Sequence, residues 1–157
     1  PEVQAVNLNA PGQTVVAGPI PALEAFEESL KAQGGRSLRL NVAGAFHSPL
    51  MASASEKMAQ ALEEVNISPP QLMVYSNLTA RPYQESAAKD WLARQLASPV
   101  KWEETIRNLA EAGFDTFLEL GPGKVLCGLI GRIVPDARCA RADTPEALQE
   151  AVTSLGA

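Results

Sequence analysis

The stretch "FDTFLELGPGKVLCGLI", Phe114 to Ile130, decides the fold class. "FDTFLEL" has the apolar character of a buried strand, "GPG" is a turn, and Val125, Leu126, Leu129 and Ile130, with Ile133 just beyond, recur at the spacing of one helix face. A short strand near Ala137 to Ala140 follows, and then a helix from Pro145 to Leu155 with Thr144 in the N-cap position. Strand, helix and strand in that order predict α/β architecture with parallel pairing.

Working back from that core, Trp102, Ile106 and Leu109 mark one face of a helix from Trp102 to Ala112 that Gly113 closes, and another helix is expected around Asp90 to Ala97. "QLMVYSN" reads as a strand ended by the turn "TARPY". Met51, Ala54, Met58, Ala61, Leu62 and Val65 predict a helix of about four turns. Leu38, Leu40 and Val42 alternate with polar residues as a strand does, and Leu23, Phe26 and Leu30 define a helix that stops at Gly34-Gly35. Val3 to Asn9 and Thr14 to Ala17 predict a strand pair joined through Pro11 and Gly12. This opening run of strand, turn, strand, helix and strand resembles most of a small α+β subdomain.

Composition limits the function. The chain has 157 residues, a net charge of -5 and a balance of apolar and charged residues that suits one ordinary globular core. The acidic balance argues against nucleic acid as a partner, because a phosphate-backbone binder needs a basic face. No apolar run reaches the roughly 18 residues that span a bilayer and no signal peptide opens the chain, so a soluble, cytoplasmic protein without a membrane partner is expected. Residue 1 is proline where an initiating Met would stand, which suggests an excised or processed piece of a longer protein. Cys127 and Cys139 are too few for a disulfide framework and lack the C-x-x-C spacing of a metal or redox site, so both read as ordinary thiols. The glutamates of "EAFEES", "ALEEV" and "WEET" read as solvated helix faces, and no metal site is expected.

The only histidine, His47, lies in "NVAGAFHSPLM" between an expected strand and a helix. Ser48 and Pro49 suit the N-cap and first turn of that helix, which sets His47 outside its positive end. Such a field favours the neutral imidazole, the form that accepts a proton from a hydroxyl or thiol. A lone histidine is more often structural, and the serine expected of a G-x-S-x-G nucleophile elbow is missing from these residues. Cys127 falls on the apolar side of a helix and reads as packing. "ELGPGKVL" fails as a phosphate loop: the Walker spacing needs glycine where Leu118 stands and Ser or Thr where Val125 stands. It reads as a tight turn whose backbone amides offer at most a weak anion site.

The segments "VNLNAPGQTVVAG", "GAFHSPLM", "YSNLTARP", "RQLASPVKW" and "FLELGPGKVLCGLI" occur in the order found in the malonyl-CoA:acyl carrier protein transacylases, and the resemblance covers nearly the whole chain. It implies part of an α/β-hydrolase-like acyltransferase domain over residues 44–157, preceded over residues 1–43 by the later part of an inserted ferredoxin-like subdomain.

The same resemblance implies a ping-pong transfer of malonyl from coenzyme A, through a seryl ester, to the phosphopantetheine thiol of acyl carrier protein, with the thioester as substrate and no cofactor. His47 matches the family's catalytic base and Gln95 the residue whose backbone carbonyl orients the imidazole. Phe46 matches the position that selects malonyl over branched units, and Asn9 and Gln13 match positions lining the entry to the acyl and pantetheine site. The G-H-S-x-G serine, the arginine that pairs with the malonyl carboxylate and part of the oxyanion hole belong to an N-terminal part that these residues do not contain. The 157 residues are therefore expected to be inactive alone, to need that part as a partner, and to leave Phe117, Leu118 and Leu120 short of packing. Two alternatives stand beside this reading: malonyl loading for polyketide assembly, and a non-catalytic module offering Lys31, Arg36 and Arg39 to an acidic carrier protein.

Overall fold

A computed structural model describes residues 2–155. The chain forms two compact units. One comprises the chain up to Leu8 together with Thr14–Lys101, the other Asn9–Gln13 with the chain from Trp102 onward.

In the first unit, β1 (Gln4–Ala10) pairs with β2 (Gln13–Ala17) across the turn at Pro11-Gly12, the tip of this hairpin belonging to the second unit. Val6 and Leu8 of β1 also bracket Val100, which donates to the Val6 carbonyl and accepts from the Leu8 amide, both at 2.9 Å. Helix α1 (Ile20–Ala32) ends where expected and for the expected reason. Gly34 adopts φ 79°, its amide reaches the Lys31 carbonyl, and the Gly35 amide returns to Leu30. These two bonds satisfy helix-end carbonyls, and the left-handed conformation at Gly34 costs glycine little.

The strand expected over Leu38 to Val42 is absent. Leu38, Leu40 and Val42 are exposed, and the Val42 amide folds back onto the Leu40 carbonyl. Alternation equips a segment for one face of a sheet, but a strand also requires a neighbour to complete its ladder, and none pairs with this segment among the described residues. "QLMVYSN" behaves alike: Leu72, Met73 and Val74 are exposed, and only Tyr75 forms a bridge, with Pro82.

Helix α2 (Ala52–Glu63) follows a 3₁₀ turn at Pro49–Met51, and packs on α3 (Ala88–Arg94) and the 3₁₀ turn Gln95–Ala97 that extends α3. The helix expected over Asp90 to Ala97 thus begins two residues earlier and tightens in its last turn.

The second unit has the predicted α/β core. Strands β3 (Thr116–Leu120) and β4 (Arg138–Ala142) run parallel, with Thr116 opposite Arg138 and Leu120 opposite Ala142. Parallel neighbours need a long crossover, which α5 (Val125–Ile133) supplies. Leu129, Ile130 and Ile133 of α5 are buried with Ala10 and with Ile106 of α4 (Trp102–Glu111), and Trp102, Leu109 and Phe117 pack around them. Burial of each of the larger aliphatic side chains contributes roughly 1.5–3 kcal/mol. Phe117 is therefore packed, contrary to the expectation that it would be stranded, whereas Leu120 is 68 % exposed as expected. Helix α6 (Pro145–Leu155) packs on β4, and Thr144 caps it by accepting the Ala147 amide at 3.1 Å.

The two cysteines overturn the sequence reading. Cys127 of α5 and Cys139 of β4 form a disulfide, with Cα atoms 5.6 Å apart. Counting cysteines could not show this, because it is the crossover that carries the first turn of α5 back over β4.

Candidate active site

His47 occupies a bend that its own backbone resists. Its φ is 63°, a left-handed value uncommon for residues with a Cβ. Two neighbouring groups hold the bend. The Ser48 hydroxyl donates to the Ala45 carbonyl at 2.6 Å and accepts from the Leu50 amide at 3.3 Å, which caps the 3₁₀ turn. The His47 amide donates to the Leu96 carbonyl at 3.1 Å. Ser48 is 2 % exposed, so its hydroxyl exchanges these partners for nothing better.

The imidazole is gripped by the next carbonyl along the same turn. His47 Nδ1 lies 2.9 Å from the Gln95 oxygen. A carbonyl only accepts, so Nδ1 carries the proton and the neutral ring keeps Nε2 bare, with its lone pair free to accept a proton. The consecutive carbonyls of Gln95 and Leu96 therefore bind the ring and the backbone of one residue, and the tightening of α3 into a 3₁₀ turn is what directs both towards His47. Ser55 of α2 donates to the Ala93 carbonyl at 2.8 Å and ties the same corner together.

Phe46 directly precedes His47 and is half exposed. Asn9 and Gln13 belong to the second unit, where Gln13 accepts a hydrogen bond from Arg132, and Arg132 also reaches the Pro11 carbonyl at 2.7 Å. Sequence reasoning overlooked Leu96, which acts through its backbone and leaves no trace in residue type. Ser55 did leave a signal: it stands three residues before Met58 and seven before Leu62, on the apolar stripe of α2, where an inward hydroxyl needs an acceptor.

The loop after β3 is not an anion site. The Glu119 carboxylate itself caps α5, accepting from the Leu126 amide at 3.0 Å and the Cys127 amide at 2.9 Å. The Cys127 amide is the main reason that its carboxyl is held below the ordinary value of 4.5, with the Leu126 amide and Arg141 adding to it against the opposing effect of burial. Arg39 is likewise engaged, donating to Glu27 and Glu24 of α1, so the basic patch suggested by Lys31, Arg36 and Arg39 is partly neutralised. Among the described residues no cluster of His, Cys, Asp and Glu is arranged to hold a metal ion, and no helix is long and apolar enough to cross a membrane.

Around His47, then, Nδ1 faces a carbonyl and Nε2 is set as the acceptor of the neutral form, at a left-handed bend that leads into the 3₁₀ turn before α2. Comparison with known proteins gives the family. The chain matches the acyl transferase domain family over residues 1–141 and belongs to it.

It is 39 % identical over 155 residues to the malonyl CoA-acyl carrier protein transacylase of Bacillus subtilis, covering 98 % of this chain and 49 % of that protein. It is also 40 % identical over 138 residues to the polyketide biosynthesis transacylase PksC of the same organism, covering 87 % of this chain and 48 % of the relative. Among solved structures, the Xanthomonas oryzae transacylase superposes with a TM-score of 0.92 at 33 % identity, over 97 % of this chain and 49 % of that one. A malonyl-transacylase in complex with its type II PKS acyl-carrier protein gives 0.93 at 38 % identity, over 97 % and 50 %. The chain thus spans about half the length of the curated relatives it matches.

Proposed function

We propose that these residues form the histidine-bearing part of a transacylase site that moves malonyl from coenzyme A to acyl carrier protein. The observation that carries the reading is the hydrogen bond from His47 Nδ1 to the Gln95 carbonyl, in a chain of the acyl transferase family. It fixes the tautomer a general base needs.

In the proposed cycle His47 Nε2 takes the proton of a serine hydroxyl as that oxygen attacks the thioester carbonyl. The coenzyme A thiolate leaves and receives the proton, and malonyl remains as a seryl ester. The carrier protein's phosphopantetheine thiol then gives its proton to Nε2 and attacks the ester, and the serine oxygen is released and reprotonated. The serine comes from a polypeptide portion bearing a G-H-S-x-G elbow, outside these 157 residues. Phe46 beside the base restricts the α-carbon of the acyl group. No cofactor takes part.

A relative named simply as a malonyl CoA-acyl carrier protein transacylase and one named for polyketide biosynthesis match at nearly equal identity, so the proposal is made for the shared reaction. A disulfide is most at home in an oxidising compartment, so the proposal does not extend to a cytoplasmic location.

The test is malonyl transfer by the serine-bearing portion assembled with these residues. His47→Ala is expected to lower the rate by on the order of 10²–10⁴-fold, the contribution of a positioned base. Full activity in that variant would overturn the assignment.

A further inference from the structure

The grip on His47 has a support one step removed from it. The Ser55 hydroxyl donates to the Ala93 carbonyl at 2.8 Å. That carbonyl also receives the backbone amide of Gln95, and the Gln95 carbonyl in turn receives His47 Nδ1 at 2.9 Å. Ala93 is 4 % exposed and lies in the last turn of α3, where helix carbonyls lose their regular partners. Beyond the bonds the helix end makes for itself, the Ala93 carbonyl is held from outside α3 by the Ser55 side chain of α2.

We propose that Ser55 is a positioning residue for His47, acting through the Ala93 carbonyl to hold the Gln95 carbonyl against the imidazole. Its significance for catalysis rests on the reading of His47 as the base in acyl transfer, whereas the relay itself is a property of the fold. A serine that merely joined α2 to α3 would alter stability and leave the ring's proton where it was. A positioning serine alters which nitrogen carries it.

His47 is the only histidine, so the imidazole ¹⁵N resonances of the whole 157-residue chain belong to it alone and report the ratio of the two neutral tautomers. The Nδ1–H form is expected to dominate in the unaltered chain. Ser55→Ala should shift the ratio towards Nε2–H by roughly threefold to tenfold, the effect of weakening one hydrogen bond. Ser55→Thr keeps the hydroxyl and should restore the original ratio. An unchanged ratio in Ser55→Ala, or a ratio in a folded Ser55→Thr chain as altered as that of the alanine variant, overturns the proposal. Should the alanine variant fail to fold, Ser55→Cys, a weak donor of similar size, decides in the same way. The reading is independent of turnover: a dispensable His47 in the transfer assay sinks the reaction and leaves the tautomer result standing, while an unmoved ratio sinks the positioning role and leaves the reaction.

Discussion

The Ser48 hydroxyl closes on the Ala45 carbonyl at 2.6 Å, bridging the two sides of His47. The contact is buried and the same oxygen caps the following turn, so one atom secures both the bend and the helix entry. Ser48→Ala removes a cap and takes from the Ala45 carbonyl and the Leu50 amide the buried hydroxyl that each uses as a partner. It should cost about 1–2 kcal/mol of stability, measured as a lowered urea midpoint at unchanged m-value.

Glu119 makes stability depend on acid in a definite direction. Its carboxyl is held below 4.5 in the folded chain, chiefly by the Cys127 amide. The stabilisation is therefore complete above the ordinary glutamate range and is lost as pH falls through the folded value, because the unfolded chain takes up the proton first. Thermal unfolding of the chain and of Glu119→Gln, followed from about pH 6 to about pH 3, should show the native residue's advantage shrinking in acid. An advantage that grew in acid would contradict the capping geometry.

The Cys127–Cys139 disulfide closes a short loop, with a sequence separation of 12. Chain-entropy reasoning assigns such a cross-link about 3 kcal/mol. Reductant, or Cys139→Ser, should lower the unfolding midpoint of the second unit accordingly, and free-thiol titration of the unreduced, unfolded chain should find no thiols.

What was legible in the sequence followed local rules. Gly34 and Gly113 ended their helices because the left-handed conformation suits glycine, and "FDTFLELGPGKVL" gave a strand, turn and helix because its apolar period changes at the turn. The expected strand at Leu38 to Val42 failed because alternation specifies a face and says nothing of a partner. Phe117 was expected to be stranded, yet α4 and α5 supply its packing from within the second unit. At the candidate site, the contact between His47 and Gln95 was reached through motif resemblance, while Leu96 was missed because it acts through its main-chain carbonyl and Ser55 because its place on the apolar stripe of α2 was the one signal it left. The disulfide was missed because two cysteines twelve positions apart carry no pairing signal until a crossover brings them together.

With His47 as the base proposed above, its φ of 63° also sets folding and chemistry against each other at a single codon. Selected for stability alone, a library randomised at position 47 should drift to glycine, with asparagine behind it, since those residues accept the bend at least cost. Selected for proton transfer, it should return histidine from the same pool. The outcomes diverge at this position because the residue suited to the bend is not the residue suited to the reaction.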